Sequence, residues 1–176
     1  MAAVMRGSFS VRPVALRQIH ALEARSDCTF PRHSHGDFGI GLIVRGAQKS
    51  WSGRGWVEAQ QGNLITCNPG EVHDGMPIGG PRQWQMLYMA PSAVAAAVTD
   101  IREGGSPEFE FTAPVMADAR LPGVFAAAYD ALTRPWTDAV RAEERMVLLL
   151  ARLLRPRAAP QLSPGPSAHA ATRGPS

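Results

Sequence analysis

The chain has almost no lysine. Lys49 is the only one among its 18 lysines and arginines. The arginines are scattered, and the formal net charge is only +3. A protein that grips nucleic-acid phosphates needs a basic stripe or patch. None is legible, so no DNA contact by this chain itself is expected. Cysteine is scarce as well. Cys28 and Cys67 stand in unrelated contexts, without the paired spacing of a zinc finger or a disulfide framework. A reduced, cytoplasmic setting is the expectation. Long apolar runs are missing. No stretch approaches the roughly 18 residues of a membrane span, and the N-terminus lacks the apolar core of a signal peptide. A membrane is therefore not an expected partner. Neither a phosphate-cradling glycine loop nor a Ser/His/Asp order is present, which removes two common enzyme classes.

What is there, over 176 residues, suffices for one domain with appendages. The first two thirds read as β. Short runs of Val, Ile, Leu, Trp and Tyr alternate with Gly and Pro signals. Strands are expected at 10–19, 38–45, 47–51, 55–59, 63–68 and 83–90, with turns at Gly46, 52–55, 60–62 and 68–71. The two-residue period places Phe38, Ile40, Leu42 and Val44 on one face. Gly39 and Gly41 begin the other face and leave room for a close approach to the backbone. Trp84, Met86 and Tyr88 also share a face, either as core or as the lining of a mostly apolar pocket. Trp51 and Trp56 flank a turn, as a cross-strand aromatic pair would.

The last third changes period. Leu121, Phe125, Ala128 and Leu132 fall on one helical face, with Asp118 as the expected N-cap and Pro135 as the stop. Thr137 is the expected cap of a second helix. From Met146 to Leu154 that helix is apolar nearly all round, apart from Arg152. Such a helix must bury two faces. One is expected against the β domain. The other, carried by Met146, Leu149, Leu150 and Leu153, is expected against a partner helix, most simply in a homodimer. A short helix is expected within 91–105, and an extended segment at 107–115. Residues 156–176 are rich in Pro, Ala, Ser and Gly and are expected to be disordered. The organisation is therefore a barrel over 1–115, a helical dimerisation appendage over 116–155, and a tail.

Three histidines stand out. His33 and His35 are one residue apart before an apolar strand, so both can aim into one cavity. His73 follows "NPGEV" after another strand and can join them. Three converging imidazoles can hold a divalent metal. They can equally donate to or accept from a polar small molecule. The residue types leave both readings open.

The pattern His33-x-His35, Gly46, Gly62 and "PGEVH" resembles the two motifs of cupins. The ordered phrases "HSHGDFGIGLIVRG", "GNLITCNPGEVHDG" and "WQMLYM", with "FEFTAPVMADARL" and the two helices after them, resemble the N-terminal effector-binding and dimerisation domain of AraC-type transcriptional regulators. The likeness runs over about residues 8–155. It implies a mainly β, cupin-like (double-stranded β-helix) barrel followed by two C-terminal helices. It also implies a small-molecule effector and no catalysis, with His33, His35, His73, Trp84, Met86 and Tyr88 as candidate ligand contacts. A metal at His33, His35 and His73 would make the alternative a small metallocupin enzyme, a dioxygenase or isomerase. Metallocupins usually place a carboxylate four or five positions after the second histidine. Gly39 and Ile40 stand there, and Asp37 is off-register. The family's helix-turn-helix half is not legible after Arg155; a frameshift or early stop in a GC-rich gene is the origin to test.

Overall fold

The computed structural model describes residues 7–154. The expected tail at 156–176 lies outside them. The order is β1 (Ser8–Arg12), β2 (Ile19–Ser26), β3 (Phe30–His33), β4 (Phe38–Ser52), β5 (Gly55–Gln60), β6 (Leu64–Cys67), β7 (His73–Met89), α1 (Pro91–Ile101), β8 (Val115–Met116), α2 (Leu121–Thr133) and α3 (Ala139–Leu154). The sheet runs β1-β2-β7-β4-β6-β8, with β3 also on β7 and β5 also on β4. The mainly β, cupin-like architecture is the one the sequence implied, with α1 as a third helix.

Two long strands carry the topology. β7 pairs with β2, β3 and β4, and β4 pairs with β5, β6 and β7. Several expected strand limits are corrected here. The expected strand 10–19 is two elements. Pro13 cannot donate to a ladder, the chain turns, and a new strand begins at Ile19. β3 was not expected, because Pro31 argues against a strand interior. Gly46 is not a turn: β4 runs through it as a bulge, with a register shift between Arg45 and Ala47. Its φ of +75° puts it in the left-handed region, and a Cβ there would lie 2.7 Å from the Pro81 carbonyl oxygen. Both facts call for glycine. β7 begins at His73, not at 83, because it continues through Gly79, Gly80 and Pro81.

The two faces of this sheet build two cores. On the outer face, Ile19, Phe38, Ile40, Leu87 and Met89 pack with all three helices. Each fully buried large aliphatic side chain there contributes roughly 1.5–3 kcal/mol. On the inner face, Ala24, Ile43, Ala59, Trp84 and Met86 form a smaller cluster.

The helices also differ from expectation in detail. Leu121, Phe125, Ala128 and Leu132 are buried, as the period implied. Asp118 does not cap the helix: Arg120 occupies that position without a side-chain cap, and the Asp118 carboxylate accepts from the Arg120 N–H one step earlier. Thr137 is likewise replaced by Asp138, whose carboxylate accepts the Val140 N–H. Met146, Leu149 and Leu150 are at most 4% exposed within the single chain, and Leu153 is partly buried. They are core residues and not a free face, because α3 packs that side against α2 and α1. Val140 and Leu148 are the large apolar residues that α3 leaves exposed. No helix among the described residues is long and apolar enough to cross a membrane.

Candidate ligand-binding site

The register of β7 selects the residues that face inward. Arg82, Trp84 and Met86 sit opposite Ser26, Ala24 and Leu22 of β2. On the other flank, Tyr88, Met86 and Trp84 sit opposite Gly39, Gly41 and Ile43 of β4. The two glycines leave space, but the protein fills it. A Cβ on Gly41 would collide with the Met86 sulfur, and one on Gly39 would collide with the Cys67 sulfur. The close approach to the backbone that the glycines were expected to permit is made by the Met86 and Cys67 side chains.

A cavity of about 180 Å³ opens on this face, lined by Leu22, Phe30, Gln48, Ile65, Asp74 and Arg82 together with the six residues singled out from sequence, His33, His35, His73, Trp84, Met86 and Tyr88. A second cavity of about 70 Å³ adjoins it and shares Gln48, Ile65, His73, Asp74 and Met86 as wall. Phe9, Phe30 and Trp84 form an edge-to-face trio with ring centroids 5.8–6.1 Å apart. Contacts of that kind add stability beyond area burial.

The imidazoles come together by pairing and by turn chemistry. His33 on β3 sits opposite His73 on β7. The Gly70 N–H donates to the His35 carbonyl at 2.7 Å, which ties the His35 loop to the "NPGE" turn. Asn68 and Glu71 are structural. The Glu71 carboxylate accepts from the Asn68 amide, and the Asn68 side chain bonds both the N–H and the carbonyl of Phe111. The three rings have centroid separations of 4.5–5.1 Å, and one ligand atom from each lies within 4.8 Å of the others.

Tautomers follow from the backbone. A carbonyl can only accept, so His33 Nδ1 donates to Pro31 O at 2.7 Å and His73 Nδ1 donates to Glu71 O at 3.0 Å. In the neutral form of each ring Nε2 then carries the lone pair. That arrangement fits a metal-binding histidine, whose other nitrogen is usually bonded to a carbonyl or carboxylate. Burial, then the neighbouring His73 and His33, lower the His35 pKa, so that ring stays neutral. Burial pushes the Tyr88 phenol up to about 12, leaving a neutral hydroxyl beside His35. The residues thus fit a divalent ion as far as three nitrogens. Ile40, one of the two positions where a metallocupin carboxylate would stand, is fully buried in the outer core. Gly39, the other, has no side chain, and Cys67 and Met86 fill the space beside it.

Sequence reasoning missed Arg82, Phe30 and Gln48. The signal for Arg82 was its parity with Trp84, Met86 and Tyr88, hidden because the strand was expected to start at 83.

Among solved structures, KdgF from Halomonas sp. is 13% identical over 51% of this chain and 84% of its own, with a TM-score of 0.44. A Streptococcus pyogenes protein of unknown function is 15% identical over 49% and 75%, with a TM-score of 0.44. A single-residue variant of the oxalate decarboxylase of Bacillus subtilis is 12% identical over 43% of this chain, with a TM-score of 0.39. This chain spans 22% of that decarboxylase's length. These likenesses are too distant to bring an activity with them. No curated protein matches the chain. One family model does, over residues 18–150, a span that takes in the sheet from β2 onward and most of α3. The chain belongs to the family of AraC-like ligand binding domains.

Proposed function

We propose that this chain is the effector-sensing module of an AraC-type transcription regulator, acting in the cytoplasm as a homodimer and without catalysis of its own. The observation that supports it is the sharing of β7 between cavity and helices. Trp84, Met86 and Tyr88 line the cavity, while Leu87 and Met89 are packed in the core that holds all three helices. A ligand that shifts the first set shifts the second. Such coupling requires different contacts in two states, and alternate residues of one strand supply a path between them. The groove between α2 and α3, lined by Val124, Ala127, Leu148 and Ala151, is the surface through which two copies would pair.

The test is thermal denaturation of the purified chain against sugars, amino acids and small organic acids. A ligand that binds only the folded state raises the melting temperature. A flat response across the whole set counts against a sensor and leaves a structural module. Light scattering that finds only monomers would remove the homodimer.

A metal-loaded cavity is a second reading, favoured by the free Nε2 atoms of His33 and His73 and by the His35 ring beside them. The ion would sit on His33, His35 and His73 and would supply a Lewis acid for a polar ligand. Metal analysis of the purified protein should then find about one equivalent, lost in the His35→Ala and His73→Ala variants. Protein that is metal-free after exposure to zinc excludes this reading.

A further inference from the structure

Arg82 is 1% exposed. A buried cation is normally paired with an anion, because desolvation of the charge is expensive. Here the partners are neutral. Nε donates to Gln48 Oε1 at 3.0 Å, Nη1 to the Cys28 carbonyl at 3.1 Å and Nη2 to the Gly75 carbonyl at 3.4 Å. The guanidinium also faces the Trp84 and Phe30 rings at 4.8 and 5.1 Å. Among the described residues, no Asp or Glu oxygen lies within 4.0 Å of it. Asp74 lines the same cavity, but its carboxylate accepts the Trp51 N–H and faces Arg32.

Five N–H groups minus three leaves one on each of Nη1 and Nη2. That pair is what a carboxylate accepts in a two-pronged bond. The surroundings set the size of its carrier. A cavity of about 180 Å³ is comparable with the roughly 150 Å³ that accommodates benzene in a designed apolar void. Phe30 and Trp84 flank Arg82, and Leu22 and Met86 line the same cavity, which suits an apolar body.

We propose that Arg82 recognises an anion, and that the effector is a small carboxylate with an apolar body of about one ring. This rests on the reading that the cavity binds a small effector. The ligand supplies the counter-charge that the described residues do not, so the site is polarised before it is filled.

The experiment uses the whole chain and matched probes: benzoate, benzamide and benzyl alcohol, then hexanoate, hexanamide and hexanol. Affinity is read by calorimetry and by melting temperature. The expected result is binding by a carboxylate, at least about tenfold weaker in its amide, since hydrogen bonds to charged groups exceed neutral ones by that order. Arg82→Gln should lose the preference for the acid, and Arg82→Lys should keep part of it. The acid-to-amide comparison on the natural chain needs no variant, so a poorly folded Arg82→Gln does not spoil the test. Equal binding of acid and amide overturns the role of Arg82 and leaves the effector reading standing. Binding by none of the six removes the effector reading for ligands of this size, and the carboxylate inference with it.

Discussion

Leu87 and Tyr88 are adjacent on β7 and face opposite ways. Leu87 is fully buried among the aliphatic residues beneath the helices. Tyr88 borders a cavity shared with three imidazoles and a guanidinium. The outer face satisfies packing and little else. The inner face leaves polar groups short of partners: free Nε2 atoms, an Arg82 without a carboxylate, and a small void. One strand thus divides stability from recognition by residue parity. Changes on the two faces should fail in different ways.

The largest effect is expected on the outer face. Leu87→Ala should destabilise the fold by about 2–5 kcal/mol, the range for a buried leucine, measured by urea denaturation. A loss under about 1 kcal/mol would mean that this face is not the stabilising one. Next comes overpacking from the inner face. Gly41→Ala places a methyl against Met86 and the Gln85 carbonyl oxygen, which lies 2.8 Å from the added carbon. Backbone cannot yield cheaply, so a loss of about 1–3 kcal/mol is expected. Gly36→Ala, which meets nothing within 4 Å, is the control and should be near neutral.

A smaller effect separates site from scaffold. His33 is exposed, so His33→Ala should change stability by no more than about 0.5 kcal/mol in the same denaturation assay. A loss several times larger would make it a structural residue. The smallest is chemical. Burial pushes the Cys67 thiol up to about 11, so it stays protonated and unreactive at a pH of about 8, while Cys28 is exposed. Iodoacetamide followed by mass spectrometry should find label on Cys28 alone. Rapid modification of Cys67 in folded protein would show that the inner face opens.

Much of this division could be read from the letters. Alternation placed Trp84, Met86 and Tyr88 together and put Phe38, Ile40 and Leu42 on the opposite side of β4. The spacing of the histidines brought them to one cavity. The failures have physical causes. Proline and glycine usually end strands, yet β7 passes through Gly79, Gly80 and Pro81, and that hid Arg82. β2 carries Glu23 and Arg25 amid its buried residues, which blurs its period. The apolar girth of α3 signalled burial correctly for Met146, Leu149 and Leu150, which find it inside one chain, while Leu148 stays exposed. Caps were misplaced by one or two residues because Asp118 and Asp138 bond to nearer N–H groups.

The bulge at Gly46 has a consequence for how this chain could vary. Before it, the odd-numbered Gly39, Gly41 and Ile43 face inward. After it, the even-numbered Gln48 and Ser50 line the adjoining cavities. One extra residue has shifted the phase of the strand, much as an inserted base shifts a reading frame. Deleting it would restore the plain two-residue period and leave Gln48 and Ser50 on the wall, whereas flattening the bulge with the length of the strand unchanged would turn Ala47 and Lys49 inward in their place. The specificity of the pocket therefore hangs on the bulge in β4 as much as on the strand's side chains.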